Sequence, residues 1–214
     1  MRVLDKPQEG ASRSLPVLLR FLRSSPGRKV SSLAPPHRPP RSRNLLISAP
    51  APSTIADSDI TDMVAERNVT RVHVVAYPEN GTSNHWVSFL DVGDSEFVIV
   101  NMTPGADGST GCVMFNFRGP EEREQTVVDL VWDSIDKFTV GTILRLVKEN
   151  RMDKYRFNSD SEGCSLWIHA LITKLVGAGY LSAQAPGETW DAIRYLWHSG
   201  TEKVPRAVPR GTFY

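Results

Sequence analysis

The amino-acid sequence predicts an α+β domain, an antiparallel sheet meander followed by helices packed on one face. Three observations carry that expectation. Residues 70–132 hold short β-branched or alternating runs punctuated by turn residues, the pattern of half-buried antiparallel strands. From Thr139 onward the apolar spacing changes to the helical period. This strand run precedes the long helices, which gathers those helices on one side of the sheet instead of between parallel strands.

The domain is read over residues 54–214, behind a tail over residues 1–53. Of the chain's 25 basic and 24 acidic residues, ten and two fall in residues 1–52, leaving 15 and 22 for the remainder. The formal net charge of +1 is thus a cancellation of +8 against −7. The tail also holds nine of the fifteen prolines, and Pro35-Pro36 and Pro39-Pro40 exclude helix or central strand. Dense positive charge and few aromatics leave too little apolar surface to offset the entropy of ordering, so the tail is expected to be disordered. Leu15–Leu22 is broken by Pro16 and Arg20 and makes a poor signal sequence. An Arg- and Ser-rich, acid-poor N-terminus also fits a mitochondrial transit peptide, the alternative to a plain cytoplasmic extension. The tail lacks the aromatic interleaving of a nucleic-acid arm. With Cys112 and Cys164 the only cysteines, a reducing compartment is expected, and no run is apolar enough to span a bilayer.

Within the domain, Ser53 and Thr54 can cap a short helix through Arg67, with Ile55, Ile60, Met63 and Val64 on one side. Thr70–Tyr77 is a β-branched strand ended by Pro78, and Glu79–Asn84 a turn. His85–Val92 alternates, Gly93–Glu96 closes a hairpin, and Phe97–Met102 follows until Thr103-Pro104-Gly105 breaks it. The loop Gly105–Gly111 leads to strands over Cys112–Phe117 and Thr126–Trp132. Glu121-Glu122 are solvated loop charges. A first long helix is capped by Thr139 and ends at Asn150. A second runs from about Glu162 to Gly177, with Cys164, Ile168, Leu171 and Leu175 on one inward stripe. A third covers about Glu188 to Trp197, and the terminal PRGTFY lies against the sheet without helical pattern.

Two residues carry the chemical case. The run SDSEGC places Ser161 at the N-cap and Cys164 in the first turn of its helix. Free backbone N–H groups and the positive dipole end there favour a thiolate. His85 begins its strand on the face of Val87 and Phe89, while Trp86, Ser88 and Leu90 take the other. If the first face is the helix-covered one, His85 meets Cys164 as an imidazole base for a thiol nucleophile. Asn101, on the next strand, is the best group to orient the ring, and Asp91 the weaker one. The alternatives are a space-filling cysteine and a core histidine satisfied by a backbone carbonyl. His73 packs inside its strand. His169 lies about 140° round the helix from Cys164 and does not face it. His198 follows Trp197 near a helix end. No His, Cys, Asp or Glu spacing matches a zinc site, and Gly105–Gly111 lacks the lysine and helix of a phosphate loop, so no metal or cofactor is expected.

The stretches NHWVSFL (Asn84–Leu90), NMTPG (Asn101–Gly105), TVGTILRLV (Thr139–Val147), YRFNSDSEGCSLWI (Tyr155–Ile168) and PRGTFY (Pro209–Tyr214) resemble a fungal family of uncharacterised proteins. More distantly, a strand histidine followed by strands, a Thr-Val-Gly helix start, a tyrosine-containing linker and a cysteine opening a helix is similar to the circularly permuted papain-like enzymes, such as the lecithin retinol acyltransferase group. That resemblance implies a permuted papain-like fold with His85 as base, Cys164 as nucleophile and Asn101 as third member. Asn101 stands where the acyltransferase group has a histidine, and GCSLW departs from its Asn-Cys pattern. The expected function is a thiol-dependent hydrolase or acyltransferase acting on an amide, ester or thioester of a small molecule or peptide. The alternative is a non-catalytic ligand- or partner-binding domain, for which the five tryptophans, all in the domain, supply aromatic surface.

Overall fold

The computed structural model describes residues 55–56, 60, 62–78, 83–118, 126–198 and 202–214, all within the compact unit Ala49–Tyr214. The tail, the cap at Ser53 and Thr54, residues 79–82 of the first turn and the pair Glu121-Glu122 lie outside these residues. The architecture is α+β. Strands β1 (Ile55–Ala56), β2 (Arg71–Ala76), β3 (Trp86–Asp91), β4 (Phe97–Pro104), β5 (Gly111–Arg118) and β6 (Val128–Asp133) form one sheet in the order β1-β5-β4-β3-β2-β6.

From β2 to β5 the chain makes the expected antiparallel meander. The sequence reading extends that meander to the next strand, and the structure corrects it. β6 returns to the far edge of β2, with Val72 opposite Trp132 and Val74 opposite Leu130. The edge left open on β5 is taken by β1, which runs parallel to it. Ile55–Ala56 is therefore strand and not the start of a helix, and α1 is only Asp62–Ala65. An unpaired edge of N–H and C=O groups is a strong local demand, and a β-branched residue meets it well. β4 also runs further than expected, through Pro104. Proline is tolerated at a strand end, and the turn begins only at Gly105, whose N–H donates to the Thr110 carbonyl at 2.7 Å.

Helix α2 (Val140–Glu149) opens at Thr139, as expected. The Thr139 hydroxyl accepts from the Thr142 N–H, and the Thr142 side chain accepts from the Thr139 N–H, so two orphan donors are satisfied reciprocally. Helix α3 (Cys164–Gly177) starts two residues later than the sequence suggests, and its cap is Gly163 instead of Ser161. Helix α4 spans Ala185–Ile193, earlier than read, with Pro186 in its first turn where no N–H is needed. Tyr195–Trp197 is not helical. It forms β8, antiparallel to β9 (Lys203–Pro205), so His198 follows a strand and not a helix. The C-terminal β10 (Thr212–Phe213) pairs with β7 (Tyr155–Arg156) and not with the main sheet.

The main core lies between the sheet and helices α2 to α4. Val74, Trp86, Leu90, Val100 and Met102 meet Ile143, Val147, Trp167, Ile168 and Leu171 there. Trp132 joins it and donates its indole N–H to Glu188 at 2.7 Å, tying β6 to α4. A second, smaller apolar cluster on the opposite sheet face holds Val75, Val87, Phe89, Phe97 and Ile99. The helices thus cover the face of Trp86 and Leu90, not the face that alternation assigns to His85.

Candidate functional site

Cys164 is held by a loop that combines local polar contacts with contacts to remote segments. Asn158 Oδ1 accepts the N–H groups of Asp160 and Glu162 at 3.0 and 2.8 Å. The Ser161 hydroxyl donates to the Gly108 carbonyl at 2.9 Å, and the Phe157 N–H donates to Ser109 at 2.7 Å. The loop Gly105–Gly111, read from sequence only as a connection, therefore buttresses the cysteine loop. It is rigidified by Asp107, whose carboxylate accepts from Thr110 and Ser109 and is held down to a pKa of about 2, the Thr110 hydroxyl contributing most. Arg206 pairs with Glu162 at 3.2 Å. The chain then turns into α3 through Gly163 at φ +147°, a conformation that only glycine adopts without strain.

Cys164 is half-buried and free. Burial raises its pKa above the ordinary 9.0, the backbone N–H groups of Trp86, Ser165 and Cys164 itself lower it, and the Glu162 carboxylate raises it again. The donors expected at a helix start are present, but desolvation outweighs them. The expectation of a depressed thiol pKa is therefore corrected, and the resting group is a neutral thiol.

His85 precedes β3 instead of lying within it. Its carbonyl accepts the Tyr77 N–H at 2.9 Å, and its ring stacks on Tyr77 with centroids 6.3 Å apart. Burial lowers its pKa below 6.5, and Asn101 partly offsets that. Asn101 lies in β4 opposite Met114. Its buried Oδ1 has no hydrogen-bond partner, so its effect on the His85 ring is a modest rise in pKa without a bond of full geometry.

His85 and Cys164 line one open cleft of about 310 Å³, together with Asn84, Met102, Phe157 and Glu162. Both line it although alternation puts them on opposite sheet faces, because His85 sits at the strand's end where the cleft opens. Asn101 does not line the cleft. Asp91 is at the far end of β3, ion-paired with Arg71, and takes no part. His73 is buried with Nδ1 3.1 Å from Asp129, and His169 packs edge-on against Trp190. Among the described residues no group of three or more His, Cys, Asp or Glu could hold a metal ion. No helix among them is long and apolar enough to cross a membrane.

Several residues of the site escape a sequence reading. Buried Asn84 donates to the carbonyls of Tyr77 (3.1 Å) and Trp197 (2.7 Å) and accepts the Trp197 N–H (2.8 Å), fixing the chain just before His85. Tyr155, Arg206 and Gly211 come from other segments, and the sequence signals them only through the tyrosine-containing linker, the glycine before Cys164 and the PRGTFY terminus.

A family model described as a domain of unknown function (DUF7770) matches residues 69–214. The chain belongs to the DUF7770 family. The matched span contains His85, Asn101 and Cys164 together with Tyr155, Gly163 and Gly211. Comparison with curated proteins and with solved structures gives no match. Membership of DUF7770 names no chemistry.

Proposed function

We propose that the cleft is the site of a thiol-dependent hydrolase or acyltransferase acting on an amide, ester or thioester, with Cys164 as nucleophile and His85 as base. The observation that carries this reading is the shared cleft of about 310 Å³ lined by both residues. Both groups rest neutral, so a substrate carbonyl in the cleft is offered a thiol and an unprotonated imidazole. The imidazole takes the thiol proton as sulfur attacks the carbonyl carbon, and the C–S bond forms. The oxyanion is stabilised by the N–H groups at the start of α3. Imidazolium returns its proton to the leaving amine, alcohol or thiol, giving an acyl-cysteine. Water or an acceptor, deprotonated by His85, then releases the acyl group. Asn101 orients and polarises the ring. The order of histidine before cysteine supports a permuted papain-like ancestry. A fungal source and a cytoplasmic location complete the reading.

A non-catalytic binding cleft is the second reading, favoured by the same burial and Glu162 charge that hold Cys164 as a neutral thiol. Intact-mass spectrometry after incubation with activated acyl esters and thioesters separates the two. The catalytic reading expects one acyl adduct on Cys164, absent in Cys164→Ala and formed about a hundredfold more slowly in His85→Ala. Ester turnover that persists unchanged in Cys164→Ala would sink it.

A further inference from the structure

We propose that Tyr155, held by the C-terminal strand β10, sets the direction of the Cys164 backbone N–H, making Tyr155 a positioning residue and the C-terminal segment part of the cysteine's site. The inference rests on the thiol reading of the cleft for its meaning, though not for its measurement.

The Tyr155 side chain is fully buried. Its hydroxyl donates to the Gly163 carbonyl at 2.8 Å, and its oxygen accepts the Gly211 N–H. The Gly163 carbonyl also accepts the Trp167 N–H of the first helical turn at 3.2 Å. In a planar trans peptide the C=O and the following N–H point in opposite directions. Two donors holding the Gly163 carbonyl toward Tyr155 and the helix axis therefore turn the Cys164 N–H the other way. That N–H is one of the groups acting on the sulfur, and it is available to a developing oxyanion. A line of aligned dipoles thus runs from Gly211 N–H through the Tyr155 hydroxyl and the Gly163–Cys164 peptide to the thiol.

The space is fitted to this contact. A Cβ at Gly163 would stand 2.8 Å from the Tyr155 hydroxyl and 3.2 Å from the Gly211 nitrogen. A Cβ at Gly211 would overlap the Tyr155 ring and hydroxyl. Pairing of β10 with β7 sets Phe213 opposite Tyr155, with ring centroids 4.8 Å apart. The same C-terminal segment grips the cysteine loop a second time through Arg206 and Glu162, two residues before Cys164. The Tyr155 hydroxyl and the Gly163 and Gly211 backbones meet beside the Cys164 peptide, and nothing in the helix itself requires that.

The test is the pH dependence of iodoacetamide alkylation at Cys164 in the full chain, read by peptide mass spectrometry with Cys112 as internal reference. Tyr155→Phe keeps the ring and removes the hydroxyl. It is expected to move the Cys164 profile to higher pH, slowing alkylation about three- to tenfold at pH 8, with Cys112 unchanged. Phe213→Leu disturbs the same packing but not the hydrogen bond, and is expected to leave the profile in place. Arg206→Gln, which strips the counter-charge from Glu162, provides a second variant shifting Cys164 in the same direction should Tyr155→Phe not fold. A Tyr155→Phe profile superimposed on wild type, or an equal shift in Phe213→Leu, overturns the proposal. So does an unmoved Arg206→Gln profile if that variant alone is measurable. A shifted profile in a protein that forms no acyl adduct counts against catalysis alone, and an unmoved profile in a protein that does form one counts against positioning alone.

Discussion

Burial drives His85 and Cys164 toward their neutral forms, and this couples the cleft to stability. Above pH 6.5 His85 is neutral in both folded and unfolded chains and adds no pH dependence. As pH falls below 6.5 the unfolded chain takes up the proton first, because burial lowers the folded pKa, and stability is lost. His169, lowered by burial against a partial rise from the Pro186 backbone, adds to this acid limb. Cys164 has the opposite sign. Its folded pKa lies above 9.0, so stability is intact below 9.0 and lost as the unfolded thiol ionises above it. The urea midpoint is accordingly expected to be flattest between about pH 6.5 and 9. His85→Asn should shallow the acid limb alone and Cys164→Ser the alkaline limb alone. An acid limb unaltered by His85→Asn would show that its imidazole is not desolvated. Residue type and position make His85 and Cys164 candidates, and both line one cleft. Their charge state was not legible, because desolvation depends on neighbours such as Tyr77 and Trp86 that fold around them.

The two long helices begin by different means, and the difference separates what local sequence encodes from what it does not. Thr139 and Thr142 close a box over three residues, so the start of α2 was visible in the chain. The start of α3 has no side-chain cap and depends on Gly163 at φ +147°, held by Tyr155 and Gly211 from elsewhere in the sequence. Ser161 looked the better cap, yet its hydroxyl is spent on Gly108. Gly163→Ala combines backbone strain with a Cβ 2.8 Å from the Tyr155 hydroxyl, and should cost about 2–4 kcal/mol in urea unfolding. Gly177→Ala, at the end of the same helix with open space around it, should instead stabilise by about 0.5–1 kcal/mol. Equal effects of the two substitutions would refute this account of the helix start.

At the scale of the molecule, the sheet is a meander with one strand folded back. Central β2 and β3 are almost wholly buried, whereas β9 is exposed along its length. Hydrogen exchange should therefore be slowest in β2, β3 and β4 and earliest in β8 and β9, as mass spectrometry of peptic peptides would show. Protection of β8 and β9 equal to that of β3 would mean the small hairpin is part of the cooperative core, against its burial. The place of β6 was the main topological surprise. Strands adjacent in sequence usually pair, but β6 beside β2 brings Trp132 onto the helix-covered face, where Glu188 accepts its indole N–H. That bond joins residues 56 positions apart, beyond the reach of any periodicity.

What the sequence by itself determined is what depends on neighbours along the chain: the β2-to-β5 meander ahead of the long helices, the alternation of β2 to β5, the Thr139 cap, and the cysteine opening a helix. Tertiary structure alone decided which sheet face the helices cover, which edge β6 joins, and how His85 and Cys164 come to share a cleft. It also decided that burial outweighs the backbone donors at the thiol. Those outcomes depend on surfaces and donors brought together from distant segments, and their energies exist only once the chain has closed around them.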